Sequence, residues 1–244
     1  MTIPAGAFQY GHESESDNPP QTLRLPEFQI SRYPVTYAQF QTFVAAPDGF
    51  RDGRWWAGLA DDEYRRQNQS QRGEQRFKYA NHPRENVSWY DAIAFCRWLS
   101  FRVGGGYDLD EVQAWKVRLP TEREWEKVAR GTDGRLYPYA GRFDAAKGNT
   151  RETGIGQTSA VGLFSDGASP YGVMDMSGNV WEWCLTEYAQ PAPRLEDENL
   201  RSKERRVVRG GSWGSYQSLA RAVSRFNWLP SFRYYYLGFR LARS

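Results

Sequence analysis

Gly178-Asn179-Val180-Trp181-Glu182-Trp183 sets a turn signal against a short aromatic run, and the same alternation returns at Arg209-Gly210-Gly211-Ser212-Trp213 and at Gly238-Phe239-Arg240. Gly, Pro, Asn and Asp punctuate short apolar runs along much of the chain, which predicts short strands joined by long ordered loops. Regular structure is therefore expected to be sparse.

Upstream, three helix starts carry the capping-box signature, a Ser or Thr followed three residues later by an acidic or amide side chain: Thr36 with Gln39, Ser88 with Asp91, and Thr121 with Glu124. The second helix would carry an apolar stripe of Trp89, Ala92, Ile93, Cys96 and Leu99. The third would carry Trp125, Val128 and Ala129 and stop at Gly131. Two polar stretches, Arg51 to Arg84 (with Arg65, Arg66, Gln67, Asn68, Gln69 and Ser70 in succession) and Gln190 to Arg205 (with Pro191 and Pro193), read as surface excursions.

The 244 residues suit one large domain, and a 40% hydrophobic, 25% charged composition is ordinary for a globular chain. Aromatic content is high at 16%, with 10 Trp and 15 Tyr, so these rings must serve a core, a surface, or both. With no long apolar run and no charged-then-apolar leader, the chain predicts neither a membrane span nor a secretory signal, and a cytoplasmic location is the default expectation. A formal charge of +3 is too mild to point to nucleic acid. Two cysteines, Cys96 and Cys184, make no disulfide framework and are expected as buried thiols.

In order, Tyr33-Pro34-Val35-Thr36, Asn86-Val87-Ser88-Trp89, Arg118-Leu119-Pro120-Thr121-Glu122, and the three motifs quoted at the outset resemble the formylglycine-generating-enzyme (sulfatase-modifying-factor) family across essentially the whole chain. The resemblance implies one α+β domain over residues 1–244 with a C-type-lectin-like fold and little regular structure. The oxidase members use two cysteines shortly after the Gly-Gly-Ser motif to bind copper. The matching positions here hold Ser215 and Ala220, which cannot supply thiolates, so no copper and no enzymatic activity are expected. The iron-dependent sulfoxide synthases of the family rely on a His-rich site, whereas His12 and His82 are this chain's only histidines. The resemblance also implies calcium near Asp175, Gly178, Val180 and Glu182, with Gly178 and Val180 contributing carbonyls; the alternative is that Asp175 and Glu182 only bond loop amides. A second family calcium site matches Asn149 and Thr150 but meets Thr153 where it expects Asp.

Residues 206–244 are distinctive. Arg221, Arg225, Arg233 and Arg240 read as a fixed framework with carboxylate or carbonyl partners. Between Trp213, read with Phe239 as core, and Gly238 stand small residues at Gly214, Ser215, Ser218, Ser224 and Ser231. Aromatic ones stand at Tyr216, Phe226, Trp228 and Phe232, and three in a row at Tyr234, Tyr235 and Tyr236. Successive strand side chains point to opposite faces, so at least one or two of those tyrosines are expected to be exposed. Stiff aromatics mixed with Ser and Gly are the composition of a binding surface. The pattern also resembles the C-terminal region of retroelement variable proteins, in which residues are diversified on a fixed scaffold. The leading expectation is thus a non-enzymatic protein whose C-terminal face binds a protein or other macromolecule. A modifying oxidoreductase is the alternative, and single-stranded nucleic-acid binding by arginines and stacked aromatics ranks third.

Overall fold

A computed structural model describes residues 1–59, 73–106, 116–189 and 199–243. Arg65 to Ser70, Pro191 and Pro193 fall outside the described residues. The fold is α+β, with the predicted scarcity of regular structure.

All three predicted caps form. Thr36, Ser88 and Thr121 each accept the backbone N–H of the third residue of their helix, and that residue's side chain returns the bond to the cap N–H. The helices are α1 (Tyr37–Ala45), α2 (Trp89–Arg102) and α3 (Glu122–Arg130), the last closed by Gly131 at φ 69°. The apolar stripe expected of α2 understates its burial. Every residue from Trp89 to Trp98 is buried, because α1, the turn at Gly53–Trp56 and the strands bearing Trp183 and Phe239 surround it. The expected surface excursion after Arg51 is likewise corrected at its edges: Trp55 and Trp56 are core, and Arg97 donates to the Trp55 carbonyl at 2.7 Å. Polar neighbours concealed two residues whose indoles α2 needs for packing. Leu200, in the second excursion, is also buried.

Three sheets frame the helices. Strands β1 (Thr2–Ile3), β4 (Phe28–Ile30) and β9 (Ala242–Arg243) form one; β2 (Gly6–Tyr10) and β3 (Gln21–Leu25) form a hairpin. The third is four-stranded, in the order β7 (Arg225–Trp228), β6 (Arg206–Arg209), β5 (Trp181–Glu187), β8 (Leu237–Phe239). Its pairs are antiparallel except β5 with β8, which run parallel with Trp181 opposite Leu237 and Trp183 opposite Phe239. Gly238 lets β8 approach the segment ahead of α2, since a Cβ there would lie 2.4 Å from the Arg84 carbonyl oxygen. Trp89 Nε1 donates to the Cys184 carbonyl and Trp183 Nε1 to the Val87 carbonyl, at 2.9 and 3.0 Å, tying α2 to β5 in both directions. Cys96 and Cys184 are buried free thiols, and burial pushes the Cys96 thiol well up.

Under β6 and β7 lies a buried ionic network. Glu122 Oε1 accepts Arg209 Nη1 and Arg225 Nε, both at 2.8 Å, and Glu126 Oε2 accepts Arg209 Nη2 at 2.5 Å. Burial alone would raise the Glu122 carboxyl, but Arg225 and Arg209 outweigh it and hold the group below the usual carboxylate range. The α3 face expected to be apolar therefore adjoins one built from paired charges.

Candidate ligand-binding site

The four-stranded sheet presents Trp181 of β5 and Phe226 of β7 on one face, with ring centroids 6.0 Å apart, and Phe226 meets Trp228 at 5.2 Å. Loops close around them. Residues 212–219 form one wall, Tyr235 and Tyr236 a second, and Arg151, Gly154 and Gly156 the rim, enclosing a cavity of about 650 Å³. Trp181 is 5% exposed and serves as floor, whereas Tyr216 and Phe226 are 54% and 42% exposed. The sequence placed its binding residues in this region, and seven of them line the cavity: Gly214, Ser215, Tyr216, Phe226, Trp228, Tyr235 and Tyr236.

The other five stand apart from the lining. Phe232 stacks on Trp228 at 4.3 Å and 14°, and Tyr234 stacks on Phe232 at 7° between planes, so both buttress the wall from behind. Ser224 is buried and donates to the Ser218 carbonyl at 2.7 Å, fixing a turn. Ser218 is exposed and Ser231 half-buried.

The expectation of exposed tyrosines is corrected: Tyr234, Tyr235 and Tyr236 are all half-buried. They occupy a loop and turn ahead of β8, where alternation does not apply, and they pack on one another at 4.1 to 5.5 Å. The Tyr234 phenol is raised by its hydrogen bond with Tyr235, and the Tyr236 phenol by burial. Trp213 is also corrected from core to wall. It is half-buried, lines the cavity and stacks on Tyr235 at 5.7 Å, because Gly210 and Gly211 turn the chain out of the sheet before it. Phe239 is fully buried, as expected.

Trp213 Nε1 and Trp228 Nε1 are shielded from solvent and have no hydrogen-bond partner among the described residues. Ser212 and Ser215 hydroxyls lie 3.1 Å apart, with the Ser212 N–H donating to Ser215 Oγ at 3.0 Å. The Arg151 guanidinium lies over the Tyr216 ring at 4.6 Å, and that of Arg76 over the Tyr235 ring at 4.5 Å. Sequence reasoning missed Trp181, Arg151, Arg76, Ser212 and Leu219, which other segments or motif positions deliver. The available signals were Trp181 and Ser212, each inside a motif quoted at the outset.

The framework arginines have the carboxylate partners expected of them: Arg221 with Glu15, Arg225 with Glu122, Arg233 with Asp91 and Arg240 with Glu182. The last pair bears on calcium. Glu182 Oε2 accepts Arg240 Nε at 2.6 Å and Trp125 Nε1 at 2.7 Å, while Oε1 accepts Arg240 Nη2 at 2.7 Å. Asp175 Oδ2 accepts the Gly162 N–H at 2.7 Å, and burial raises its carboxyl to about 6. A divalent cation on Glu182 would have to displace a buried guanidinium, so Asp175, Gly178, Val180 and Glu182 do not fit calcium as arranged. In the second set Thr153 Oγ1 donates to the Gly148 carbonyl at 2.9 Å and Thr150 Oγ1 to Glu152 at 2.8 Å, while Asn149 Oδ1 is buried with no partner among the described residues. His82 bonds Thr158 and His12 bonds Ser14, each at 2.8 Å, and neither lines the cavity.

Compared with known proteins, the chain matches the Sulfatase-modifying factor enzyme 1-like domain family over residues 1–244. It is 31% identical to the formylglycine-generating enzyme of Streptomyces coelicolor, covering 97% of this chain and 84% of that protein. It is 27% identical to a hercynine oxygenase of Mycolicibacterium smegmatis, covering 99% of this chain and 60% of that protein. Among solved structures, Treponema denticola variable protein 1 superposes with a TM-score of 0.74 at 25% identity, covering 99% of this chain and 93% of the other.

These relatives correct the expectation of no enzymatic activity, since proteins named as enzymes match this chain over nearly its whole length. Ser215 and Ala220 remove one chemistry, that of paired thiolates.

Proposed function

The chain belongs to the sulfatase-modifying factor enzyme 1-like domain family, and from that premise we propose that its C-terminal segment recognises a protein or other macromolecular ligand in the aromatic groove. One observation carries the reading: a cavity of about 650 Å³ whose walls are largely Trp, Tyr and Phe, open enough to leave Tyr216 and Phe226 half-exposed. Rigid aromatics on a fixed scaffold give large contact area at low entropic cost. Likeness to a variable protein supports a segment diversified between fixed arginines. Panning a random peptide library on the wild-type protein, then retesting selected peptides on a Tyr216→Ser/Phe226→Ser/Tyr235→Ser variant, tests this. Binding should be lost with the fold retained; selection of no peptide, or equal binding by the variant, overturns the reading.

The names of the relatives favour a second reading, catalysis on a ligand held in the same groove. A transition metal in the purified protein by elemental analysis, with turnover of a cysteine-containing sulfatase peptide or a sulfur-containing metabolite, would establish it.

A further inference from the structure

We propose that the ligand of the groove is an acidic peptide segment, one that seats an apolar side chain among the aromatics and sets carboxylates against Arg76 and Arg151; this rests on the recognition reading above. Charge complementarity carries it. Among the described residues no carboxylate lines the cavity, and the one charged group that does is the cation Arg151. The nearest acid in sequence, Glu152, has one oxygen accepting the Gln217 N–H at 2.8 Å and the other the Thr150 hydroxyl at 2.8 Å.

Arg76 and Arg151 differ from the framework arginines, which end on carboxylates inside the protein. Among the described residues neither forms a salt bridge, both are exposed, and each lies over a ring of the wall, Tyr235 and Tyr216 respectively. A guanidinium over an aromatic face keeps its N–H edge available for a carboxylate. Exposed cations beside an apolar floor describe a ligand that is apolar and negative.

Single-stranded nucleic acid is also aromatic and anionic. The charge pattern argues against it: binding along a strand uses a basic groove that tracks many phosphates, whereas here Arg76 and Arg151 are the cations over rings of the wall.

The experiment is a titration of ¹⁵N-labelled protein with acetyl-Asp-Phe-Asp-amide, its Asn-Phe-Asn and Lys-Phe-Lys counterparts, and a ten-residue oligothymidylate, following the indole N–H resonances of Trp213 and Trp228. The acidic peptide should bind about tenfold more tightly than the Asn peptide at low salt, the scale of one charge-assisted contact. That preference should vanish in an Arg76→Gln/Arg151→Gln variant, whose exposed substitutions leave the core untouched. Equal binding of the Asp and Asn peptides overturns the acidic ligand while leaving the recognition groove standing. Preference for the Lys peptide, or for the oligonucleotide, overturns it in favour of those ligands. Failure of every probe to move either indole overturns this inference alone, provided that library-selected peptides still depend on Tyr216, Phe226 and Tyr235.

Discussion

Arg225 and Glu122, 103 residues apart in sequence, meet side-on: Nε to Oε1 and Nη2 to Oε2, both at 2.8 Å, with neither side chain more than 1% exposed. Through this contact strand β7, which carries Phe226 and Trp228 of the groove, is fastened to the first turn of α3. Arg209 joins the same carboxylate from β6, so two adjacent strands share one anchor.

Glu122→Gln should therefore cost about 3–5 kcal/mol, because it leaves two buried guanidinium groups short of their counter-charge. Urea denaturation measures this directly. A loss below about 1 kcal/mol would show that the pairs contribute little.

The same carboxylate governs acid stability. Its folded-state pKa is held below the unfolded value by Arg225 and Arg209 against the opposing effect of burial. Its contribution is thus fully present above the ordinary carboxylate range and is lost as pH falls through the depressed folded value. Denaturation midpoints across acidic pH should fall less steeply for Glu122→Gln than for the wild-type protein; parallel curves would contradict the assignment.

Calcium should leave the melting temperature unchanged, and so should a chelator, because Arg240 already occupies both oxygens of Glu182. A calcium-dependent rise of several degrees would mean that the carboxylate exchanges partners.

Gly211→Ala is expected to destabilise by about 1–3 kcal/mol and to shift the 212–219 wall. Gly211 has φ 73°, and a Cβ would stand 3.0 Å from Ala220 Cα. Altered quenching of Trp213 fluorescence by acrylamide reports the wall, and an unchanged profile with unchanged stability would refute the constraint.

By contrast, Tyr216→Ser and Phe226→Ser should each change stability by no more than about 1 kcal/mol, being half-exposed on the open side of the groove. Thermal melts of the single variants decide this. A large loss would reassign these rings to the core.

What the sequence made legible was mostly local. The caps at Thr36, Ser88 and Thr121 depend on residues three apart, and all three formed. Nothing local to Glu122 and Glu126 points to their partners, because Arg209 and Arg225 lie 83 to 103 residues away. Trp55 and Trp56 were hidden by polar neighbours, and Trp213 was read as core from its motif although Gly210 and Gly211 swing it outward. The groove was half legible. Composition marked the wall from Gly214 to Tyr236, while its floor at Trp181 and its cations at Arg76 and Arg151 arrive from distant segments that only the folded chain assembles.

The parallel pairing of β5 with β8 has one more consequence. The wall-forming segment leaves the sheet at Arg209 and must re-enter it with Leu237 opposite Trp181, and on the way Arg209 pairs with Arg225 across β6 and β7. Each passage between these fixed stations has a set length. An added or deleted residue within β7 or β8 would shift those pairings, whereas exchanging the exposed side chain of Phe226 leaves them in place; Arg233, in the same stretch, is tied to Asp91 and is not free to vary. Substitution at the exposed positions Tyr216 and Phe226 therefore reshapes the groove at constant strand register.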